Sequence, residues 1–196
     1  MHQAGLLGND ADATTHRLFF ALWPDAALRG RIASTVAGLE RDNAPGGRRL
    51  NPDRYHLTLQ FLGDFQPLRQ SVVDAAIAAA DSIRLPGFDL VLDRVGSFPK
   101  AGVCWLGASA PPEALRQLWD GLGSALAIAR VQVKSASAFS PHLTVLRDVH
   151  RPLPSTPIEP LPWPLREFVL IDSVSGAHPT YRLLGRWPLQ DGPGRT

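Results

Sequence analysis

The chain has one cysteine, Cys104, so no disulfide can form within it. The surrounding Gly-Val-Cys-Trp-Leu-Gly-Ala run is apolar and reads as the setting of a buried structural thiol. Lysine is nearly missing: Lys100 and Lys134 stand against a total of 20 basic residues, the rest arginine. No apolar run approaches the ~20 residues that a membrane helix needs. The opening MHQAGLLGNDADATTHR has neither a basic n-region nor a long apolar stretch, which excludes a secretory signal. There is no G-x-S-x-G elbow for a serine hydrolase. No Cys/His/Asp cluster has the spacing of zinc ligands. Together these absences predict a cytoplasmic protein with no membrane partner, no metal and no cofactor.

What remains is an ordinary globular composition. Of 196 residues, 44% are hydrophobic and 19% charged, enough for one sizeable core or two small lobes sharing one. The formal net charge is only +2. Arginine's planar fork suits bidentate contact with phosphate, although arginine is also abundant wherever coding is GC-rich. The charge permits a nucleic-acid or phosphate ligand without demanding one.

Periodicity divides the chain into alternating element types. Arg17 to Trp23 is β-rich, and Pro24-Asp25 then opens a helix carrying Leu28, Ile32, Val36 and Leu39 on one face. After the loop NAPGGRR, Tyr55 to Leu62 alternates as a strand and meets a turn at Gly63-Asp64. Pro67 to Ile83 is an alanine-rich helix. Phe88 to Val95 and Gly102 to Ala108 are strands, and Pro111-Pro112-Glu113 starts a helix to about Ala129. Pro141 to Arg147 is a strand, and Pro152 to Pro164 reads as a proline-rich connection. Arg166 to Val174 and Tyr181 to Pro188 are the last strands. This mixed order predicts an α+β class. Residues 1–16 are expected to be a disordered leader, 17–189 one domain and 190–196 a disordered tail.

One pattern occurs twice, as YHLTLQFLGD (Tyr55 to Asp64) and PHLTVLRD (Pro141 to Asp148). In a strand, residues two apart share a face. His56 and Thr58 therefore project together with Leu57 and Leu59 opposite, and His142 and Thr144 project together with Leu143 and Val145 opposite. Set side by side, two such strands offer two imidazoles and two hydroxyls to one ligand. That set suits attack on a cyclic phosphodiester. One imidazole takes a proton from water while the other protonates the departing ribose oxygen, and both forms exist near neutral pH because histidine ordinarily titrates near pH 6.5. Threonine hydroxyls can donate to the phosphate oxygens. Two structural histidines on half-buried strands, or a two-histidine zinc site, are the competing readings of the same residues.

The paired His-apolar-Thr-apolar motifs resemble those of the two-histidine phosphoesterases. RLFFALWP, FDLVLDRVGSFPK with VCWLG, and the closing YRLLGRWPL look like the branch of bacterial and archaeal RNA 2′,3′-cyclic phosphodiesterases, historically called 2′-5′ RNA ligases. The resemblance covers roughly Arg17 to Leu189. It implies a bilobal α+β fold: two antiparallel-sheet lobes about a pseudo-twofold axis, helices outside, and a cleft with one motif from each lobe. It also implies hydrolysis of RNA 2′,3′-cyclic phosphate ends to 2′-phosphates, with 2′-5′ ligation as a related reaction. On that analogy His56 is the acid on the leaving 3′-oxygen and His142 the base. The two-histidine acid–base logic itself requires no metal, and with no clear signal for an oligomer the chain is expected to be a monomer. Small cyclic or 2′-5′-linked nucleotides are alternative substrates, and a non-catalytic RNA-end module is an alternative role.

The same resemblance puts Arg147 near the phosphate and Phe61 against a base, since aromatic stacking is a general mode of RNA recognition. Each lies five residues after its histidine. For Arg147 five is odd, so a perfectly regular strand would place it on the opposite face, and a strand end or bulge could bring it round. A surface ion pair of Arg147 with Asp148 and a core Phe61 are the alternatives. Trp105 and Trp119 read as core. His2, His16, His150 and His178 read as leader or loop residues.

Overall fold

The computed structural model describes residues 14–134, 138–176 and 180–190. His2, His178 and most of the expected leader and tail lie outside the described residues. The elements in chain order are β1 (Thr15–Leu22), α1 (Ala26–Asn43), β2 (Arg48–Arg49), β3 (Leu57–Phe65), α2 (Gln70–Ala80) and β4 (Phe88–Phe98). Then follow β5 (Val103–Gly107), α3 (Glu113–Ile128), β6 (Leu143–Arg147), β7 (Thr156–Leu165), β8 (Glu167–Ser175) and β9 (Thr180–Pro188).

Local chemistry accounts for the helices. The Asp25 carboxylate accepts from the Leu28 amide at 2.7 Å and caps α1, which then buries Leu28, Ile32 and Val36 at a helical spacing. Alanines Ala76, Ala79 and Ala80 let α2 sit close to its neighbours. α3 buries Leu115, Leu118, Leu122 and Leu126 along one stripe.

All sheet pairings between named strands are antiparallel, in the order β7-β4-β5-β6-β3-β1-β8-β9, with β2 added on β6. The two halves, β7-β4-β5-β6 and β3-β1-β8-β9, meet at one bridge, Leu57 with Leu143. The expected lobes are thus halves of a continuous sheet about the β3/β6 seam. The main core lies on one face, where Leu18, Phe20, Leu57, Leu59, Leu143 and Val145 pack with the buried stripes of all three helices. Burying a leucine such as Leu57 or Leu143 contributes about 1.5–3 kcal/mol. A smaller cluster of Phe19, Ala21, Val169 and Ile171, with Phe61 and Tyr181 against it, occupies the other face.

Several sequence-based boundaries change. Gly63-Asp64 is not a turn: β3 continues to Phe65, because Leu18 and Arg17 of β1 pair with these two residues. The proline-rich connection is largely strand β7, an edge strand paired only to β4. Pro160, Pro162 and Pro164 fall on alternate, exposed positions while Leu161, Trp163 and Leu165 are buried, so the missing N–H groups do not interrupt the ladder. His16 is not a leader residue. It lies in β1, and its Nδ1 contacts both carboxylate oxygens of the buried Asp172, at 3.1 and 2.9 Å. Gln190 bridges Pro86, which carries the ordered chain past Leu189. Trp105 is absent from the main core. It lies half-buried over Gly96, where a Cβ would stand 2.4 Å from the indole.

Candidate active site

The seam assembles the two motifs. Leu57 and Leu143 pair on the core face, so the residues flanking them project from the opposite face. Carried one residue further each way, the antiparallel register sets His56 across from Thr144 and Thr58 across from His142. Directly opposed side chains leave their strands about 5 Å apart. Two imidazoles and two hydroxyls are thus brought to one side of the seam, each histidine across from the other motif's threonine.

Both histidines are held alike. Nδ1 of His56 lies 2.7 Å from the carbonyl oxygen of Arg54, and Nδ1 of His142 lies 2.7 Å from that of Ser140, in each case two residues upstream. A carbonyl only accepts, so each Nδ1 carries the proton and each Nε2 is left for chemistry. Their surroundings differ. The Phe19 ring stacks on the His56 imidazole with centroids 4.7 Å apart, and Tyr181 approaches it edge-on at 5.9 Å. Among the described residues the ring contact of His142 is the edge contact of Phe98, at 4.9 Å. Burial drives the His56 pKa down to about 4; the Arg54 carbonyl opposes this, and the charges of Arg147 and His142 add to it. Burial also raises the Tyr181 hydroxyl above the usual tyrosine range, against the nearby charges of Arg54, Arg147 and Arg17. Three arginines therefore surround the His56 side of the cleft.

Strand bulges settle where the two odd-spaced residues point. In β3 the partners of Phe20 and Ala21 are Gln60 and Thr58, which leaves Leu59 as an extra residue. In β6 the partners of Cys104 and Trp105 are Leu146 and Thr144, which leaves Val145 extra. Each bulge turns two successive residues away from the cleft: Leu59 with Gln60, whose amide donates to the Trp119 carbonyl on α3, and Val145 with Leu146. The alternation then resumes in the opposite sense. Phe61 reaches the cleft face, where it packs beside Phe19 and Tyr181 and lies under the Arg17 guanidinium, 5.4 Å from its ring centre. Arg147 emerges exposed beyond Leu146, and its charge acts on both His56 and Tyr181. The alternative pairing of Arg147 with Asp148 does not occur among the described residues; Asp148 faces Arg48 at 3.9 Å.

Arg54, Phe19, Tyr181 and Phe98, together with the backbone carbonyl role of Ser140, are features of the candidate site that the motif reading missed. The two carbonyl contributors sit at a fixed offset before each histidine, but a backbone oxygen leaves no mark in a side-chain pattern. Phe19, Tyr181 and Phe98 come from strands distant in sequence. Among the described residues no three His, Cys, Asp or Glu side chains come together as a metal site, and no helix is long and apolar enough to cross a membrane.

Known proteins resemble this chain over most of its length. Residues 22–105 match the family model described as LigT like Phosphoesterase, a stretch that holds the first motif but ends before the second. Over 176 residues, 88% of this chain and 96% of the other, it is 35% identical to the RNA 2′,3′-cyclic phosphodiesterase of Escherichia coli strain K12. The chain belongs to the LigT-like phosphoesterase family. Among solved structures, the crystal structure of E. coli LigT complexed with 3′-AMP superposes with a TM-score of 0.75 at 32% identity, covering 90% of this chain and 99% of that one. TT0787 of Thermus thermophilus superposes with a TM-score of 0.68 at 26% identity, covering 89% and 98%. The family's fold thus spans both motifs, including the half beyond the matched model.

Proposed function

We propose that this protein hydrolyses the 2′,3′-cyclic phosphate ends of RNA, leaving a 2′-phosphomonoester and a free 3′-hydroxyl. One observation carries the reading: His56 and His142 flank the β3/β6 seam, each with Nδ1 tied to a carbonyl and Nε2 left for proton transfer. Similarity to an RNA 2′,3′-cyclic phosphodiesterase over nearly the whole chain supports the substrate class.

In the step proposed, the water oxygen forms a bond to phosphorus as the bond from phosphorus to the 3′-oxygen breaks. One imidazole Nε2 takes the water proton and the other imidazolium gives its proton to the 3′-oxygen. Thr58 and Thr144 donate hydrogen bonds to the two non-bridging oxygens, where charge concentrates. Arg147 adds a fixed positive charge, and Phe61 stacks on the base. An RNA 5′-hydroxyl in place of water would yield a 2′-5′ linkage at the same site. His56 is neutral in the free protein above pH 4. The donor role that family analogy gives it therefore requires the incoming phosphate charge to restore its proton. Both motifs come from one chain, which supports action as a monomer, and the buried lone thiol Cys104 fits a reducing cytoplasm.

The test is turnover of a nucleoside 2′,3′-cyclic phosphate by protein treated with EDTA. Release of the 2′-phosphate is the expected result. Exclusive release of the 3′-phosphate, or a requirement for added metal, overturns the reading.

A further inference from the structure

Beyond Phe61, β3 leads away from the two histidines to a cavity of about 600 Å³ at its C-terminal end. Leu62, Gly63 and Phe65 form one wall, the first turns of α2 another, and the residues just after α3 a third. Neither histidine lines it. Three cations do: Arg69, Arg130 and Lys134. None of the three has a carboxylate partner among the described residues. The one lining carboxylate, Asp64, is engaged 2.9 Å from Arg17, the same arginine that covers Phe61.

The backbone adds to this. α2 starts at Arg69 with no side-chain cap and no acidic residue in its first turn, so its N-terminal amides point a positive end at the cavity rim. Arg130 has φ of 56°, a left-handed conformation that costs a non-glycine residue energy. The Lys134 amide donates to the Phe61 carbonyl at 2.7 Å, fixing this lysine beside the stacking ring. From Thr58 to Gly63 the strand covers roughly 15 Å. The chemistry runs from phosphate donor to aromatic ring on the cleft face, then round the edge of β3 at Lys134 to unpaired cations over a partly apolar floor on the helix side. This order matches an RNA end read backward from its cyclic phosphate: phosphorus, terminal base, then the phosphodiesters that precede it.

We propose that this cavity is a second binding site, for the phosphodiester backbone of the single-stranded RNA a few nucleotides upstream of the cyclic end, with Arg69, Arg130 and Lys134 as its phosphate contacts. The proposal rests on the RNA-end reading of the main site. It makes the protein selective for oligonucleotides over mononucleotides, because the main site alone holds the reacting nucleotide and the cavity engages only a longer chain. Counterion release at the cavity contributes the difference.

The test compares kcat/KM for a mononucleoside 2′,3′-cyclic phosphate and an RNA octamer ending in the same group. Both are measured at several salt concentrations with the native protein and the Arg69→Gln/Arg130→Gln/Lys134→Gln variant. The native protein should prefer the octamer at low salt. The variant should keep its mononucleotide rate and lose at least tenfold on the octamer through KM. The octamer's slope of log(kcat/KM) against log salt should flatten by about 2, since each single-strand phosphate contact contributes about 0.7. Lys134→Arg, which keeps the charge, should retain the octamer preference. Equal use of both substrates by the native protein overturns the proposal, as does a variant that loses equally on both or on neither. If neither substrate turns over, it is the RNA-end reading that fails. Binding of a labelled octamer with a 2′-phosphate end, compared between native protein and variant, then decides the cavity separately: weaker binding by the variant supports it and equal binding overturns it.

Discussion

The Arg54 carbonyl oxygen accepts a hydrogen bond from Nδ1 of His56 at 2.7 Å, so the imidazole presents Nε2 to the cleft. The Ser140 carbonyl does the same for His142 at the same distance. This duplicated brace holds both rings in the tautomer that acid–base work at Nε2 requires. Replacing either histidine by alanine is expected to lower turnover of a cyclic nucleotide by about 10²- to 10⁴-fold. The double replacement should cost little more than the worse single one, because the two act in one step. Steady-state rates of the three variants check this, and full activity in His56→Ala removes the mechanism.

The low pKa of His56 has a measurable source. Burial contributes most, and the Arg147 charge pushes in the same direction. Arg147→Gln should therefore raise the His56 pKa above its native value of about 4. Binding of a 2′-nucleotide should raise it further, since an anion favours the imidazolium. Titration of the His56 ring protons by NMR reads both shifts. An unmoved pKa in the variant means that Arg147 does not reach the site.

The same group makes stability depend on pH. In the unfolded chain His56 binds its proton near pH 6.5, and in the folded protein only near 4. Between these values the unfolded state holds more protons, so stability falls as pH drops through this window and is unaffected by His56 above it. The loss amounts to about 3 kcal/mol at most. Urea unfolding from pH 7 to pH 4 should show this slope, and His56→Phe should flatten it.

Phe61 reaches the cleft only through the bulge at Leu59. Phe61→Ala should raise KM by a factor corresponding to about 1–3 kcal/mol, the scale of one base–aromatic stack, with kcat little changed. A fall in kcat with KM intact would instead make Phe61 part of the wall that positions Phe19 and His56.

Away from the cleft, the Asp172 carboxylate is buried and both its oxygens rely on His16. His16→Leu leaves that acceptor without its partner and should lower stability by about 1–3 kcal/mol, with catalysis unaffected. Denaturant midpoints alongside cyclic-nucleotide turnover separate the two effects.

Much of the candidate site was legible as text. His56, Thr58, His142 and Thr144 declare themselves because a strand's two-residue period makes a local pattern into a shared face. Helix α1 was likewise readable from its Asp25 cap, α3 from its opening prolines and α2 from its alanine-rich apolar spacing, all of which depend on residues a few positions apart. The tertiary structure decided what depends on a neighbouring strand. β7 is a strand despite its prolines because β4 supplies the ladder. Phe61 and Arg147 face the cleft because registers with β1 and β5 force a bulge in each motif strand. The asymmetry between the histidines is also tertiary: Phe19 and Tyr181, far apart in sequence, enclose one imidazole and leave the other more open. A sequence records which side chains are present, and only packing decides how much water each one keeps.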